Sequence, residues 1–213
     1  MLDAIRSATR GAHARLEARL DRQGTWTHER YAAFLRATLA VVGPLERAID
    51  EHLQALVNLR HGGTYASDRL IRDLGALGAE TTADMASGLP TIASRATAFG
   101  AAYVVEGSLL GGRFIAAALQ ATLGVGDDQL SYLRPVRRAG SWRDFTDQLN
   151  TFGESNPHEW TSMTTTAALT FQAFEGAFVR EGVFDVDAEN TETSGACPTA
   201  STSASPAVMP SIA

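Results

Sequence analysis

The sequence predicts an all-α fold, and three observations carry that reading. No segment alternates apolar and polar residues with period two, and no valine- or isoleucine-rich run is bounded by hairpin turns. Apolar residues instead recur every three or four positions through most of residues 1–185. Residues able to cap a helix stand just before several of these stretches.

Taken in order, Leu2, Ile5, Ala12, Leu16 and Leu20 follow helical spacing with charges between them, which predicts an amphipathic helix over about residues 2–21. His13 falls on or beside its buried face. Thr27 is placed to cap a second helix whose apolar set is Tyr31, Phe34, Leu35, Leu39 and Val42. At Gly43-Pro44 the missing proline N–H predicts a kink or break, with a further helical stretch through about Val57. Ser67 is the expected cap of a helix carrying Leu70, Ile71, Leu74 and Leu77. Pro90-Thr91 opens the longest pattern, about 91–122, in which Gly100, Gly107, Gly111 and Gly112 predict bending. Ser141-Trp142-Arg143-Asp144 has the form of a capping box, and Asn156-Pro157 sets a cap residue before a first-turn proline. Trp160, Met163, Ala167, Phe171, Phe174 and Phe178 give the last helix one apolar stripe that ends near Gly182.

Beyond this the chain changes character. From Asp187 to Ala213 it is dominated by Ser, Thr, Ala, Pro and Glu, a composition that cannot offset the entropy of ordering, so residues 186–213 are expected to be a disordered tail behind one domain at 1–185. A length of 213 residues with 45% hydrophobic content fits that single domain. A formal charge of −6 and the absence of a basic run exclude nucleic acid as the expected partner. All 18 basic residues are arginine, which excludes lysine Schiff-base chemistry and assigns anion binding to guanidinium groups. Cys197 is alone, so neither an internal disulfide nor a cysteine metal knuckle is available, as suits a reducing cytoplasm. The first residues lack the apolar core of a signal peptide, and no uncharged apolar run approaches the roughly 20 residues of a membrane span, so the expectation is a cytoplasmic protein with no membrane partner.

Two motifs carry chemistry. His13 with Glu17 four residues on is a helical pair in which the acid can fix one ring nitrogen while the other binds metal. Arg6 lies on nearly the same face, roughly 10 Å along the axis, a separation that suits an iron ligand and a cation for a carboxylate at the edge of one porphyrin. In Tyr103-Val104-Val105-Glu106-Gly107-Ser108-Leu109-Leu110-Gly111-Gly112, each helical glycine costs about 0.8–1 kcal/mol relative to alanine. A flat ligand against the helix offsets that cost, and so does close helix–helix packing. His28, His52, His61 and His158 sit at helix ends or in loops and are weaker candidates. Arg134, Arg137, Arg138 and Arg143 form a basic patch expected to be solvated surface, with a redox partner or a propionate as the other use. No Glu-x-x-His pair, nucleophile elbow, phosphate loop or dinucleotide fingerprint is present.

Where the two motifs meet, a resemblance is visible. Leu2-Asp3-Ala4-Ile5-Arg6-Ser7-Ala8-Thr9-Arg10-Gly11-Ala12-His13-Ala14-Arg15-Leu16-Glu17 resembles the opening of the haem oxygenases, with their basic residue, Ala-Thr-Arg/Lys and axial histidine. The Tyr103 to Gly112 segment is similar to the distal helix of their bacterial, biliverdin-producing branch, often met beside bacteriophytochromes. The resemblance implies a haem oxygenase-like bundle that opens haem to biliverdin, carbon monoxide and ferrous iron. It uses O2 and electrons from an external reductase or ferredoxin, and a bacteriophytochrome is the implied recipient of the product. It further implies His13 as the metal ligand, Glu17 as its hydrogen-bonding partner and Arg6 as a propionate contact. Tyr103, Gly107, Gly111 and Gly112 would lie along the haem, and Gly107, Ser108 and Gly111 would serve the reaction. Two positions depart from the pattern: animal members have an aspartate where this chain has Ser108, and a propionate-binding tyrosine where it has Ala102, one residue before Tyr103. A haem carrier or sensor on the same fold and a cofactor-free helical interaction module are the other readings; the first binds haem without forming biliverdin, and the second takes up none.

Overall fold

A computed structural model describes residues 1–22, 25–54 and 60–184. Its elements are α1 (Leu2–Arg22), α2 (His28–Leu53), α3 (Ala66–Ala76), α4 (Arg95–Leu123), α5 (Ser141–Ser155) and α6 (Trp160–Arg180), with short 3-10 turns at Asp127–Gln129 and Pro157–Glu159. Among the described residues the only β pairing is an isolated bridge between His61 and Thr64. The fold is all-α. The expected tail at 186–213, with Cys197, and residues 55–57 at the end of the helical stretch expected to reach Val57 lie outside the described residues.

Thr27 caps α2 as its sequence predicts, its Oγ1 accepting the Arg30 N–H at 3.1 Å. Pro44 does not end that helix, which runs unbroken from His28 to Leu53. A proline inside a helix orphans the carbonyl four residues earlier. Here the orphan is Ala40 O, and the Ala86 N–H from a distant loop donates to it at 3.0 Å, so the loop supplies what the proline removes.

Four other helix starts differ from expectation, one through a carboxylate from another helix and three through partners close by in the chain. Ser67 is not the cap of α3, which begins at Ala66 after an extended Tyr65. Ser67 lies in the first turn, where its N–H and hydroxyl donate to the Glu46 carboxylate of α2. The longest helix starts at Arg95 rather than 91, because Ser94 and Thr97 form a reciprocal capping box. Ser141 is the first residue of α5 and not its cap. Gly140, at φ +81°, occupies the cap position, and the Ser141 hydroxyl accepts from Arg137 Nε at 3.4 Å. Asn156 turns its side chain back to Phe152 O, and α6 begins only at Trp160.

Met163, Ala167, Phe171, Phe174 and Phe178 of the α6 stripe are all buried, but Trp160 is 39% exposed and anchors its indole N–H on Gly153 O at 2.7 Å. The stripe packs against α4, α1 and α2, and α2 also carries α3. Tightest is the crossing of α4 and α6, where Gly100 lets the Met163 backbone come so near that a methyl group would stand 2.3 Å from its carbonyl oxygen. By length and composition alone α4 is apolar enough to cross a membrane; here it packs on α6 and α2.

Candidate functional site

Side chains three and four residues apart share a helix face, so α1 presents Arg6, Thr9, Arg10, His13, Leu16 and Glu17 along one stripe. On α4 the same rule aligns Tyr103, Gly107, Gly111 and Ile115. These two stripes face each other across a cleft of about 650 Å³, closed by Phe171, Phe174 and Phe178 of α6, Phe34 and Thr38 of α2, and Tyr132, Leu133 and Trp142. The volume lies within the roughly 300–1,000 Å³ of pockets that enclose a cofactor-sized ligand. Seven of the residues singled out from sequence line it together: Arg6, His13, Glu17, Tyr103, Gly107, Ser108 and Gly111.

The His13 ring is fixed on two sides. Its Nδ1 lies 3.2 Å from Glu17 Oε2, the two side chains being 31% and 30% exposed, and its edge meets Phe171 in a T-shaped contact at 5.8 Å. Nδ1 is therefore the nitrogen committed to the acid, and Nε2 is the one left for a ligand bond. Arg6 makes a loose 3.7 Å contact with the fully exposed Asp3, which leaves its guanidinium available at the N-terminal end of the cleft, beside Arg10. Tyr103 faces the same end. Burial pushes its phenol pKa up, while the Arg6 charge and hydrogen bonds to Thr9 and Arg6 pull the other way. Ala102, in contrast, is wholly inside the core.

Gly112 belongs to the packing and not to the lining. A methyl group there would stand 2.7 Å from Leu133 O, so this glycine seats the 130–133 segment against α4. At Gly107 the nearest atom to such a methyl is Trp142 Cη2 at 3.7 Å, an ordinary contact.

Two groups of polar residues were not legible as a site. Tyr132, 3% exposed, contacts Ser108 and is held by Asp73 of α3, whose carboxylate accepts the Tyr132 N–H at 2.8 Å and the Ser131 N–H at 2.9 Å. Behind α4, His61 Nε2 lies 2.9 Å from Glu106, both side chains almost fully buried, and Arg137 reaches the same carboxylate at 3.4 Å. So Arg137 turns inward, while Arg134, Arg138 and Arg143 pair with Asp127, Asp144 and Asp147 near the surface, as the solvated reading of that patch expects. Nearby Arg69 donates to His61 O and Thr64 O. Burial lowers the pKa of Arg69 and raises those of Glu46 and Asp73. The other histidines, His28, His52 and His158, do not line the cleft.

Among the described residues no three His, Cys, Asp or Glu side chains gather as a metal site. One histidine is enough only for a metal that arrives with donors of its own, as in a macrocycle. No family model and no curated protein matches this chain.

Proposed function

We propose that this chain is a haem oxygenase, opening haem to biliverdin with release of carbon monoxide and ferrous iron. The observation that carries the reading is the cleft itself: an imidazole with one nitrogen tied to a carboxylate stands across it from a helix face bearing two glycines. The residues fit the group. His13 Nε2 would hold the metal, and Glu17, accepting the Nδ1–H, would fix the tautomer and raise the basicity of the ligating nitrogen. Arg6, Arg10 and Tyr103 gather donors at one end, where two propionates would lie, and guanidinium groups suit carboxylates by their paired N–H geometry. Phenylalanines of α6 would keep water from the side of the cleft beside His13, and Gly107 and Gly111 put no side chain of their own on the opposite side. When bound, haem supplies the iron and the oxygen chemistry, with electrons from an external reductase or ferredoxin. A bacteriophytochrome as recipient of biliverdin belongs to the same proposal.

Hemin titration followed by ascorbate or a reductase under air tests it. The parent is expected to take up one hemin per chain and to form biliverdin, and His13→Ala to change the visible spectrum of the bound hemin, with partial restoration by imidazole. An unchanged spectrum in that variant overturns the ligand. Hemin bound without biliverdin leaves the carrier reading in its place.

A further inference from the structure

The hydroxyl hydrogens at the Ser108 end of the cleft can be counted. Ser108 Oγ lies 2.7 Å from Val105 O and 3.2 Å from the Tyr132 hydroxyl. A carbonyl oxygen only accepts and a serine has one hydrogen to give. That hydrogen goes to Val105 O, so in the second bond the phenol is the donor.

We infer that Tyr132 is a positioning residue of the cleft: it donates to Ser108 and so presents Ser108 Oγ as a pure acceptor, which takes a hydrogen from water or another O–H or N–H group bound over the Gly107 to Gly111 face. Where this bears on a reaction it rests on the haem reading above. The surroundings fix the arrangement. The Asp73 carboxylate holds the backbone of Ser131 and Tyr132, and Gly112 lets the adjoining Leu133 backbone sit directly on α4, so the segment that carries the phenol is held beside Ser108. Near the phenol Arg69 is 4% exposed, and among the described residues its Nε and Nη2 have no hydrogen-bond partner. Ser108, which lines the cleft, is the accepting end of the pair, and the charge acting on the phenol is that of Arg69. Glu46, Glu106 and Asp73 are the carboxylates around it. Burial pushes the Tyr132 phenol up to about 12, so it keeps its hydrogen through the neutral range.

Two measurements decide this. In the ligand-free protein, ultraviolet resonance Raman difference spectra of parent minus Ser108→Ala are expected to show the loss of one donating phenol, and Tyr132→Phe to remove the same component. A difference spectrum showing no change, or an accepting phenol, overturns the inference whether or not hemin binds. In the hemin-loaded protein, Tyr132→Phe and Ser108→Ala are each expected to move the midpoint of the pH-dependent visible transition by about half a unit or more. The double variant is expected to move no further than the larger single one, with hemin affinity changed by less than about threefold. Additive shifts, or an unmoved midpoint in Tyr132→Phe, also overturn it. Failure of the parent to take up hemin defeats the haem reading alone, and the Raman result still decides the phenol.

Discussion

Along α4, a methyl group added at Gly100 would meet Met163 O at 2.3 Å, and one at Gly112 would meet Leu133 O at 2.7 Å, while at Gly107 it would find only the rim of Trp142 at 3.7 Å. One residue type on one helix thus answers two different demands. At Gly100 and Gly112 the propensity cost, about 0.8–1 kcal/mol each, is offset inside the protein by backbone approaching backbone. At Gly107 nothing among the described residues requires the missing side chain, and that glycine borders the cleft. The packed glycines explain the fold; the cleft glycine needs an explanation from outside it.

Four substitutions break or sharpen this contrast. Gly100→Ala is expected to have the largest effect, a loss of about 3 kcal/mol or more in urea denaturation, because the opposing atoms are backbone and cannot rotate away. A near-neutral result there would erase the distinction between the two kinds of glycine. Gly111→Leu is expected to leave the helix content of the ligand-free protein intact by circular dichroism while weakening hemin binding by about tenfold or more, roughly 1.4 kcal/mol. A destabilised chain with full hemin affinity would move Gly111 into the packed class. Gly107→Ala is expected to stabilise the ligand-free protein by about 0.5–1 kcal/mol, since alanine is the better helix former and the contact at 3.7 Å is unstrained. Measurable destabilisation would show that Gly107 serves packing as well.

The smallest effect extends the contrast from glycines to carboxylates, half-exposed Glu17 in the cleft against buried Glu46 between α2 and α3. Burial raises the Glu46 pKa above 4.5, with its hydrogen bonds to Ser67 opposing. The folded state then holds this proton more tightly than the unfolded chain, so the associated stability is full below the ordinary carboxylate value and is lost as pH rises through the raised one. Glu46→Gln cannot lose a proton and is expected to flatten that limb in denaturation curves taken from about pH 4.5 upward. Parallel pH profiles for parent and variant would remove Glu46 as its source.

What sequence reveals follows the same division. His13 with Glu17, Arg6, and the Tyr103, Gly107, Gly111 series are legible because the contacts that matter are three, four or seven residues apart on one helix. Thr27 is legible because a cap is local. Gly107 and Gly112 look alike in sequence, since what separates them is a carbonyl at Leu133. Tyr132 carries no local signal, for its backbone is held by Asp73 and its hydroxyl meets Ser108, both far away in the chain. The same holds for His61, buried against Glu106 although it stands beside two turn glycines, and for Ser67, whose expected role as a cap gives way to a carboxylate from another helix.

The bond from Ala86 to the carbonyl that Pro44 releases has a consequence for exchange with heavy water. Met85 and Ser87 on either side are exposed, so their neighbourhood would otherwise trade its amide hydrogens quickly. The Ala86 amide instead inherits the lifetime of the middle of α2. One slow hydrogen in a fast loop then reports each time that helix opens at its proline, from a position well outside the helix.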